Sequence, residues 1–323
     1  MLGNGNFLGG TSFPSKFSST PGAAGLSEQV DLRRAKIWPR PRLYNFESFI
    51  FTTGGNTGYL GPAKDALLLA YGTKTYPWLN DVSLYNVTNG VQYWTVPETG
   101  RYRIQAAGAK GGDAGVTYVG GAGATIRGEF DLTINTVIKI VAGQIGHAAV
   151  YAGGGGASFA AITSETFPLL VAGGGGGGNS TTSTQTGGPG LADLSGTTRN
   201  GAGGTNGNGG FANSLNQAGG GAGWYTAGQG TPSGSNNSAL NSSDPRGGYY
   251  NTTYQGGGFG GGGTGFGGGG GGGGWSGGGA GLYNGGNTVA GGGGGGSYNA
   301  GSNQLNTAGA NNAAGYVVIT KIS

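Results

Sequence analysis

The stretch GFGGGGTGFGGGGGGGGWSGGG, residues 258–279, decides the fold of this chain because it offers almost no side chains to bury. Fixing the backbone of one residue costs about 1–2 kcal/mol, and glycine is the most costly residue to order. Side-chain burial does not offset that cost here. An ordered structure in this stretch must therefore be stabilised by its backbone N–H and C=O groups.

Three conformations compete for continuous glycine: a flexible coil, a collagen triple helix and a bundle of polyglycine helices. Collagen needs a strict Gly-X-Y repeat rich in proline, but the chain has 11 prolines in 323 residues and its glycine runs are unbroken. A polyproline-II backbone made of glycine has three residues per turn and no internal hydrogen bonds, so it must pair with neighbouring helices. The run at 267–274 suits an interior helix of such a bundle.

Aromatic residues interrupt the glycine runs, whereas a disordered linker contains few of them. We expect these rings to cap or seal the bundle, which favours the bundle over the coil. The interrupting residues are Phe259, Phe266, Trp275, Tyr283 and Tyr298.

The longer aliphatic runs lie outside these glycine stretches, in patterns typical of strands. The segment ATIRGEFDLTINTVIKIVAG, residues 124–143, alternates in a way that predicts a strand with one apolar and one solvated face. The expected apolar face carries Ile126, Phe130, Leu132 and Ile134, and the expected solvated face carries Arg127, Glu129, Asp131 and Thr133. Further strands are predicted in SFIFTTGG (48–55), on both sides of a turn at 97–100, in FPLLVAGG (167–174) and in GYVVITKIS (315–323).

One short helix is predicted in GPAKDALLLAYG, residues 61–72, with Pro62 at its first position and Gly72 just after its end. The C-terminal strand needs sheet neighbours, and the nearest candidates precede residue 173. The sequence therefore predicts an extended arm at 1–45 and a β-sandwich at 46–172 completed by the strand at 314–323. A glycine-rich insertion occupies 173–313.

Four segments resemble, in order, the glycine-rich extracellular region of the anaplastic lymphoma kinase and leukocyte tyrosine kinase receptors. They are FTTGGNTGYLGPAKDALLLAYG (51–72), GVQYWTVPETGRYRIQAAGAKGG (90–112), AGGGGASFAAI (152–162) with FPLLVAGGGGGG (167–178), and the final glycine runs. The first two are the more specific, and the resemblance covers residues 49–323. It implies a TNF-like jelly-roll β-sandwich with an inserted bundle of polyglycine-II helices. TNF-like domains form trimers, so the resemblance also implies a homotrimer.

The chain departs from this family at two positions where the family has cysteine, Gly54 and Leu67, so the resemblance implies one missing disulfide. The chain has no cysteine at all. Neither a kinase nor a membrane span is found in the sequence, so receptor signalling is not implied. In principle rather than in motif, the chain is also similar to bacteriophage tail-fibre adhesins that contain packed polyglycine helices.

Motifs for catalysis and cofactor binding are not found. A phosphate-binding loop would need a glycine run followed by Lys-Ser or Lys-Thr, and Gly-x-Gly matches are expected by chance in a chain with 83 glycines. His147 is the sole histidine, and the twelve carboxylates lack calcium-loop spacing. We expect no catalytic site, no metal site and no cofactor.

A cluster of basic residues near the N-terminus is interleaved with proline and tryptophan in DLRRAKIWPRPRL, residues 31–43. The net charge of +4 is otherwise spread thinly, so a surface-docked anchoring arm is favoured over a contact with nucleic acid. The candidate anchoring residues are Arg33, Arg34, Lys36, Trp38, Arg40 and Arg42.

Tyrosine, tryptophan and asparagine are concentrated in AGWYTAG (222–228) and PRGGYYNTTYQ (245–255). Rigid amphipathic rings beside amide groups suit recognition of glycans or proteins, although the same rings could merely seal the ends of the bundle. The candidate recognition residues are Trp224, Tyr225, Tyr249, Tyr250 and Tyr254.

These features predict a non-enzymatic virion structural protein, a phage tail or appendage fibre or an adhesin subunit that recognises a host surface. A capsid decoration or purely mechanical coat protein is the first alternative, and a ligand-binding module of a cell-surface protein is the second. The expected partners are other virion proteins through the arm, further copies of the chain, and a host glycan or surface protein. Without a leader or a membrane segment, the chain is expected to be made in the host cytoplasm and exposed on the particle.

Overall fold

The structure, a computed structural model, describes residues 42–180, 186–215, 217–230, 234–235, 237–250, 255–282 and 291–323. The chain divides into two units, Met1–Leu43 and Tyr44–Ser323. Of the first unit, Arg42 and Leu43 are described, and both side chains are exposed. The expected arm at 1–45 therefore lies almost wholly outside the described residues.

The second unit is built mainly of antiparallel β-strands, which confirms the expected all-β class. Its helices are α1 (Lys64–Tyr71) and a 3-10 helix at Pro77–Asn80. The strands are β1 (Ser48–Phe51), β2 (Tyr85–Thr88), β3 (Val91–Thr95), β4 (Gly100–Ala107), β5 (Gly123–Leu132), β6 (Val137–Val141), β7 (Ser158–Ile162), β8 (Leu170–Ala172), β9 (Gly234–Ser235), β10 (Tyr249–Tyr250), β11 (Tyr298–Asn299), β12 (Ser302–Asn311) and β13 (Tyr316–Lys321).

The longer strands form two sheets that enclose an apolar core. One sheet has five strands in the order β1-β13-β4-β5-β12, and the other has six in the order β11-β8-β7-β6-β3-β2. Ile104, Ile126 and Ile319 of the first sheet pack with Trp94 and Ile138 of the second, all fully buried. This arrangement is the sandwich expected from the alternating strands.

The C-terminal strand β13 lies between β1 and β4, both of which precede residue 173. The chain therefore returns to its first sheet after the glycine-rich segment. Helix α1 ends at Gly72, whose φ of 74° is the left-handed conformation that glycine adopts without strain. The predicted start was wrong, because Ala63 is the N-cap residue and Pro62 precedes it.

Gly54 and Leu67, the two positions singled out by the sequence resemblance, lie side by side. A Cβ on Gly54 would stand 3.0 Å from Cδ2 of Leu67 and 3.5 Å from its Cα. Leu67 is completely buried. The Leu67 side chain thus lies against the space that a side chain at position 54 would need.

Strand β12 was not predicted from the sequence. It runs along β5 at the edge of the five-stranded sheet, and most of its side chains are exposed. Because β12 belongs to the sheet, strand structure extends into the segment 173–313 that was expected to be wholly glycine helices.

Glu129 of β5 was expected on a solvated face, but its side chain is only 8% exposed. It accepts hydrogen bonds from Arg103 Nη2 at 2.8 Å and Arg101 Nε at 3.1 Å on β4, and from Asn303 Nδ2 at 2.7 Å on β12. The hydrogen bonds from Arg103, Asn303 and Arg101 lower the pKa of the Glu129 carboxyl to about 2. The alternating pattern correctly separates Glu129 from the apolar face of β5, but it cannot show that side chains of β4 and β12 cover the carboxylate.

We expect the free energy of unfolding to fall as the pH is lowered through the titration of Glu129. Its folded pKa of about 2 lies below the ordinary value of 4.5, so its contribution is present above pH 4.5 and lost as the pH falls towards 2. Urea unfolding at a series of pH values should show this decline, and Glu129→Gln should lower stability at neutral pH and flatten the decline. An equal slope in both proteins would contradict the assignment.

The outer face of the six-stranded sheet is covered by the glycine-rich part of the chain. Val141, Phe159 and Val171 of this sheet pack against Trp224 and Phe259, and all five are fully buried. The unit therefore has three layers: the five-stranded sheet, the six-stranded sheet and a glycine-rich layer.

At the centre of this layer, residues 270–274 donate their backbone N–H groups to three other segments with a repeat of three residues. Successive N–H groups point to different neighbours, and every third group returns to the same one. The donor and acceptor pairs are Gly270 to Ala152, Gly273 to Gly155, Gly271 to Gly219, Gly274 to Ala222 and Gly272 to Gly293, at 2.8–3.0 Å.

The carbonyl groups of residues 269–273 accept from three further segments. The pairs are Gly281 to Gly269, Gly177 to Gly270, Gly263 to Gly271, Gly278 to Gly272 and Gly174 to Gly273, at 2.7–2.9 Å. The central run is thus hydrogen-bonded to six surrounding segments. One of them, at 152–155, lies in the part of the sequence expected to belong to the sandwich, so the layer is not confined to 173–313.

Only glycine permits this spacing. A Cβ added at any position from 268 to 274 would lie less than 3.0 Å from a backbone carbonyl oxygen of another segment. Real Cβ atoms essentially never come so close, and a backbone atom cannot move aside as the tip of a side chain can. The unbroken run is therefore required by the hydrogen-bond network that surrounds it.

We expect Gly272→Ala to lower the free energy of unfolding by about 3 kcal/mol or more, because its Cβ would overlap the carbonyl of Gly174. Gly256→Ala is the matched control, since its Cβ would meet its nearest neighbour, the Gly248 carbonyl oxygen, at 3.4 Å. That control should change stability by about 1 kcal/mol or less. Chemical denaturation measures both, and equal losses would contradict the close-packed network.

Candidate recognition surface

Trp224, a predicted recognition residue, is completely buried beneath the glycine-rich layer. Its ring meets Phe159 edge-on at 5.3 Å, and its Nε1 donates to the Thr166 carbonyl oxygen at 2.9 Å. A side chain in this position cannot contact a ligand at the surface of the unit. Its contacts instead place it between the glycine-rich layer and the sheet.

Lys139 of β6 extends over the same ring. Its ammonium lies 5.0 Å from the ring centre of Trp224 and donates to the Asn241 carbonyl oxygen at 3.1 Å. Burial lowers the pKa of Lys139. The cation and the ring stabilise each other through the negative face of the aromatic system, which ties the loop at Asn241 to the sheet.

Tyr225 belongs to a different environment, a cluster of four rings that we call the aromatic patch: Phe167, Tyr225, Trp275 and Tyr298. Trp275 lies at its centre and stacks on Tyr298 at 4.6 Å, while Tyr225 meets it edge-on at 5.5 Å. Phe167 lies parallel to Trp275 at 6.3 Å and is 56% exposed. The patch offers partly exposed rings over a buried tryptophan.

Backbone hydrogen bonds hold the patch in place. Trp275 N–H donates to Gly296, Trp224 N–H donates to Trp275, and Tyr225 N–H donates to Gly207, at 2.8–2.9 Å. Because these supporting atoms belong to the glycine-rich layer, the rings of Trp275 and Tyr225 are fixed to that layer. Rings held in this way lose little conformational freedom when a ligand binds.

The remaining candidate residues are not brought into this patch. Tyr249 is half-buried and stacks on Tyr59 at 4.8 Å, and no described ring of the patch contacts it. The backbone of Tyr250 pairs with Gly234 in the short β9–β10 ladder. Tyr254 lies outside the described residues.

The predicted anchoring residues Arg33, Arg34, Lys36, Trp38 and Arg40 also lie outside the described residues. Arg42, the last of the set, is exposed. Their proposed contact with a partner therefore stays a prediction.

Sequence reasoning missed Phe167 and Tyr59. The apolar pattern predicts one strand over residues 167–174, but β8 begins only at Leu170, which leaves Phe167 in the loop after β7. Pro168 was the available signal, because proline is excluded from paired strand interiors and favours a loop.

Within the described ranges, no group of three or more His, Asp or Glu side chains is arranged to hold a metal ion. No helix in the same part of the chain combines the length and the apolar character that a membrane span requires. No protein-family model matches the chain.

We expect Trp224→Ala to lower the free energy of unfolding by about 3–5 kcal/mol, because it removes a fully buried ring together with its hydrogen bond. Phe167→Ala, in contrast, should change stability by about 0.5 kcal/mol, because more than half of that ring is in solvent. Thermal or urea unfolding distinguishes the two. A stable Trp224→Ala protein would show that the ring does not seal the layer.

Proposed function

We propose that the chain is a non-enzymatic structural subunit of a virion, an appendage fibre or adhesin that presents a rigid domain to a host surface. The observation that carries this proposal is the glycine network, in which a central run is hydrogen-bonded to six surrounding segments by backbone groups alone. A layer held by such a network is stiffened by backbone hydrogen bonds in addition to the few buried rings that attach it to the sheet. That property suits a component whose task is mechanical.

We further propose that the glycine segments are polyglycine-II helices. A threefold screw directs successive N–H groups about 120° apart, which gives contacts to three neighbours that repeat every third residue. The donor pattern of residues 270–274 has this repeat. The missing Cβ on every side of the run allows the neighbouring backbones to approach closely enough for both lateral hydrogen bonds and Cα–H···O contacts.

We also propose that the sandwich is of the TNF-like jelly-roll type and that the chain forms a homotrimer. The two antiparallel sheets and the return of β13 to the first sheet are compatible with this topology. The arm at 1–45 would then anchor the subunits to other virion proteins. The contacts of the arm would come from its basic residues and its tryptophan: Arg33, Arg34, Lys36, Trp38, Arg40 and Arg42.

A network of this kind suits a particle exposed to harsh surroundings. The chain has no cysteine, so it contains no disulfide that a reducing compartment could break. Its hydrogen bonds lie between buried backbone groups, where competing water is excluded and an opened bond leaves an unsatisfied polar group. The domain can therefore fold in a cytoplasm and stay folded outside a cell.

The aromatic patch is the surface that we propose for host recognition. Phe167 and Tyr225 offer apolar rings at an edge of the layer, and the half-buried Tyr249 offers a further ring away from the patch. Rigid rings recognise sugars and protein surfaces without the loss of freedom that long flexible side chains incur.

We expect antibodies raised against the full chain to decorate intact particles from cultures that express it. Gold-labelled antibodies viewed by electron microscopy should mark one type of particle feature, while antibodies against an internal particle protein should mark none. Light scattering on the purified chain should give the mass of a trimer, and a stable monomer would remove the trimer from the proposal. Detection of the chain only in cell fractions, with unlabelled particles, would overturn the proposed function.

A further inference from the structure

A groove of about 350 Å³ opens on the outer face of the six-stranded sheet, beyond the area that the glycine-rich layer covers. Its volume lies at the lower end of the range for small-molecule sites. Strands β2, β3 and β6 form it together with the loop before β2. The lining includes Val82, Ser83, Asn86, Thr88, Tyr93 and Val137.

The strand register explains why these side chains converge. Asn86 lies directly opposite Tyr93 in the antiparallel pairing of β2 with β3, and Thr95 lies opposite Val137 in the pairing of β3 with β6. Directly opposite residues in an antiparallel pair have Cβ atoms about 4.5–5.5 Å apart on the same face. Asn86, Tyr93 and Val137 are thus held on the framework of the sheet rather than on a flexible loop.

Three polar groups of the groove are available to a ligand. The Tyr93 hydroxyl, the Thr88 hydroxyl and Asn86 Nδ2 form no hydrogen bond with another described residue. By contrast, the Ser83 hydroxyl donates to Asp81 at 2.7 Å, and the Thr95 hydroxyl donates to the Ser83 carbonyl oxygen at 2.7 Å. The hydrogen bonds of Ser83 and Thr95 fix the loop that forms one wall of the groove. The polar groups without such bonds belong to residues of the sheet.

The groove combines these neutral donors and acceptors with apolar surface. Val82, which is 65% exposed, and Val137 present methyl groups to the groove. Tyr93 contributes part of its aromatic ring. None of the lining side chains is charged. The nearby ammonium of Lys64 lies 3.4 Å from Asn86 Oδ1, so it is directed to that amide.

We propose that this groove binds a neutral saccharide. A sugar ring has hydroxyl groups around its rim and C–H groups on its faces, so it matches a surface on which hydroxyl and amide groups border a ring and two valines. The two ammonium groups beside the groove are directed to other acceptors, Lys64 to Asn86 Oδ1 and Lys139, which lies opposite Tyr93, to the Asn241 carbonyl, so no lining side chain would neutralise the charge of an anionic ligand. A purely apolar ligand would leave three polar groups without partners.

This proposal rests on the proposed function, because a saccharide on a host surface is the ligand that an adhesin would meet. It adds a second site, separate from the aromatic patch, and assigns its ligand class. Strong binding of a surface polymer would come from several weak sites that act together in an oligomer.

The experiment uses the full chain and soluble glucose, galactose, mannose and N-acetylglucosamine, with N-acetylneuraminic acid as the anionic comparison. Methyl-labelled valine NMR should show that at least one neutral sugar shifts the signals of Val82 and Val137. Thr88→Val together with Tyr93→Phe should weaken that binding about tenfold, since both retain shape and remove one hydroxyl each.

Val82→Trp should fill the groove and abolish the sugar-induced shift of the Val137 signal without harming the fold, because Val82 is largely exposed. Val116→Trp is the matched control, since Val116 is 98% exposed and is not among the lining residues. It should bind as the parent chain does. Equal binding by the Val82→Trp chain would overturn the site.

Other outcomes separate this proposal from the proposed function. Sugar binding that is abolished by Phe167→Ala and retained by Val82→Trp would overturn the groove and support recognition by the aromatic patch. Binding of N-acetylneuraminic acid alone would overturn the neutral ligand class. If no sugar shifts the Val82 and Val137 signals while antibodies still decorate particles, the groove proposal fails and the virion assignment stands.

Discussion

Each backbone N–H and C=O group of the central glycine run must form its hydrogen bond with a segment other than the run itself, and the rest of the unit depends on this constraint. A β-strand meets it with two neighbours, one on each edge. The central run meets it with six, because its N–H and C=O groups point outward with a repeat of three residues. Such a backbone is stable only when it is completely surrounded, so the segments have to order together.

This constraint determines where side chains are allowed. Interior positions from 268 to 274 accept none, because every Cβ direction is occupied by a carbonyl of another segment. The large side chains of the layer are therefore placed at its ends and against the sheet, where Trp224, Phe259 and Trp275 are buried. These few rings supply apolar burial that the glycine segments cannot, and they attach the layer to Val141 and Phe159 of the sheet.

Sequence patterns within short segments predicted the helix and the strands whose formation depends mainly on those segments. The alternation around β5, the helix that ends at Gly72 and the apolar run of β13 are properties of short segments, and the structure contains each of them. Strand β12 escaped prediction because SNQLNTAGAN has no alternation of apolar and polar residues, and its side chains are in fact exposed on both faces. It is a strand because β5 offers it an unpaired edge, which the sequence of β12 does not reveal.

The composition of the chain pointed to aromatic residues as candidates for recognition, but it could not show how their side chains are arranged. Trp224 and Phe167 are both aromatic residues near turns, yet the first is buried and the second is exposed. What distinguishes them is a contact between residues 58 positions apart, the hydrogen bond from Trp224 Nε1 to Thr166. Glu129 differs from its expected position for a similar reason, since Arg103 and Asn303 reach it from other strands. Long-range contacts of this kind carry no local signal.

The glycine-rich layer satisfies its backbone polar groups internally, so only side chains that the network does not use are free to contact a ligand. Among the described residues, the two surfaces proposed above, the aromatic patch and the groove on the uncovered part of the sheet, carry such side chains. Phe167 and Val82 are largely exposed, whereas Gly272 is enclosed by backbone. Because Phe167 and Val82 contribute no side-chain hydrogen bond to the network, we expect substitutions at these two positions to leave the network intact.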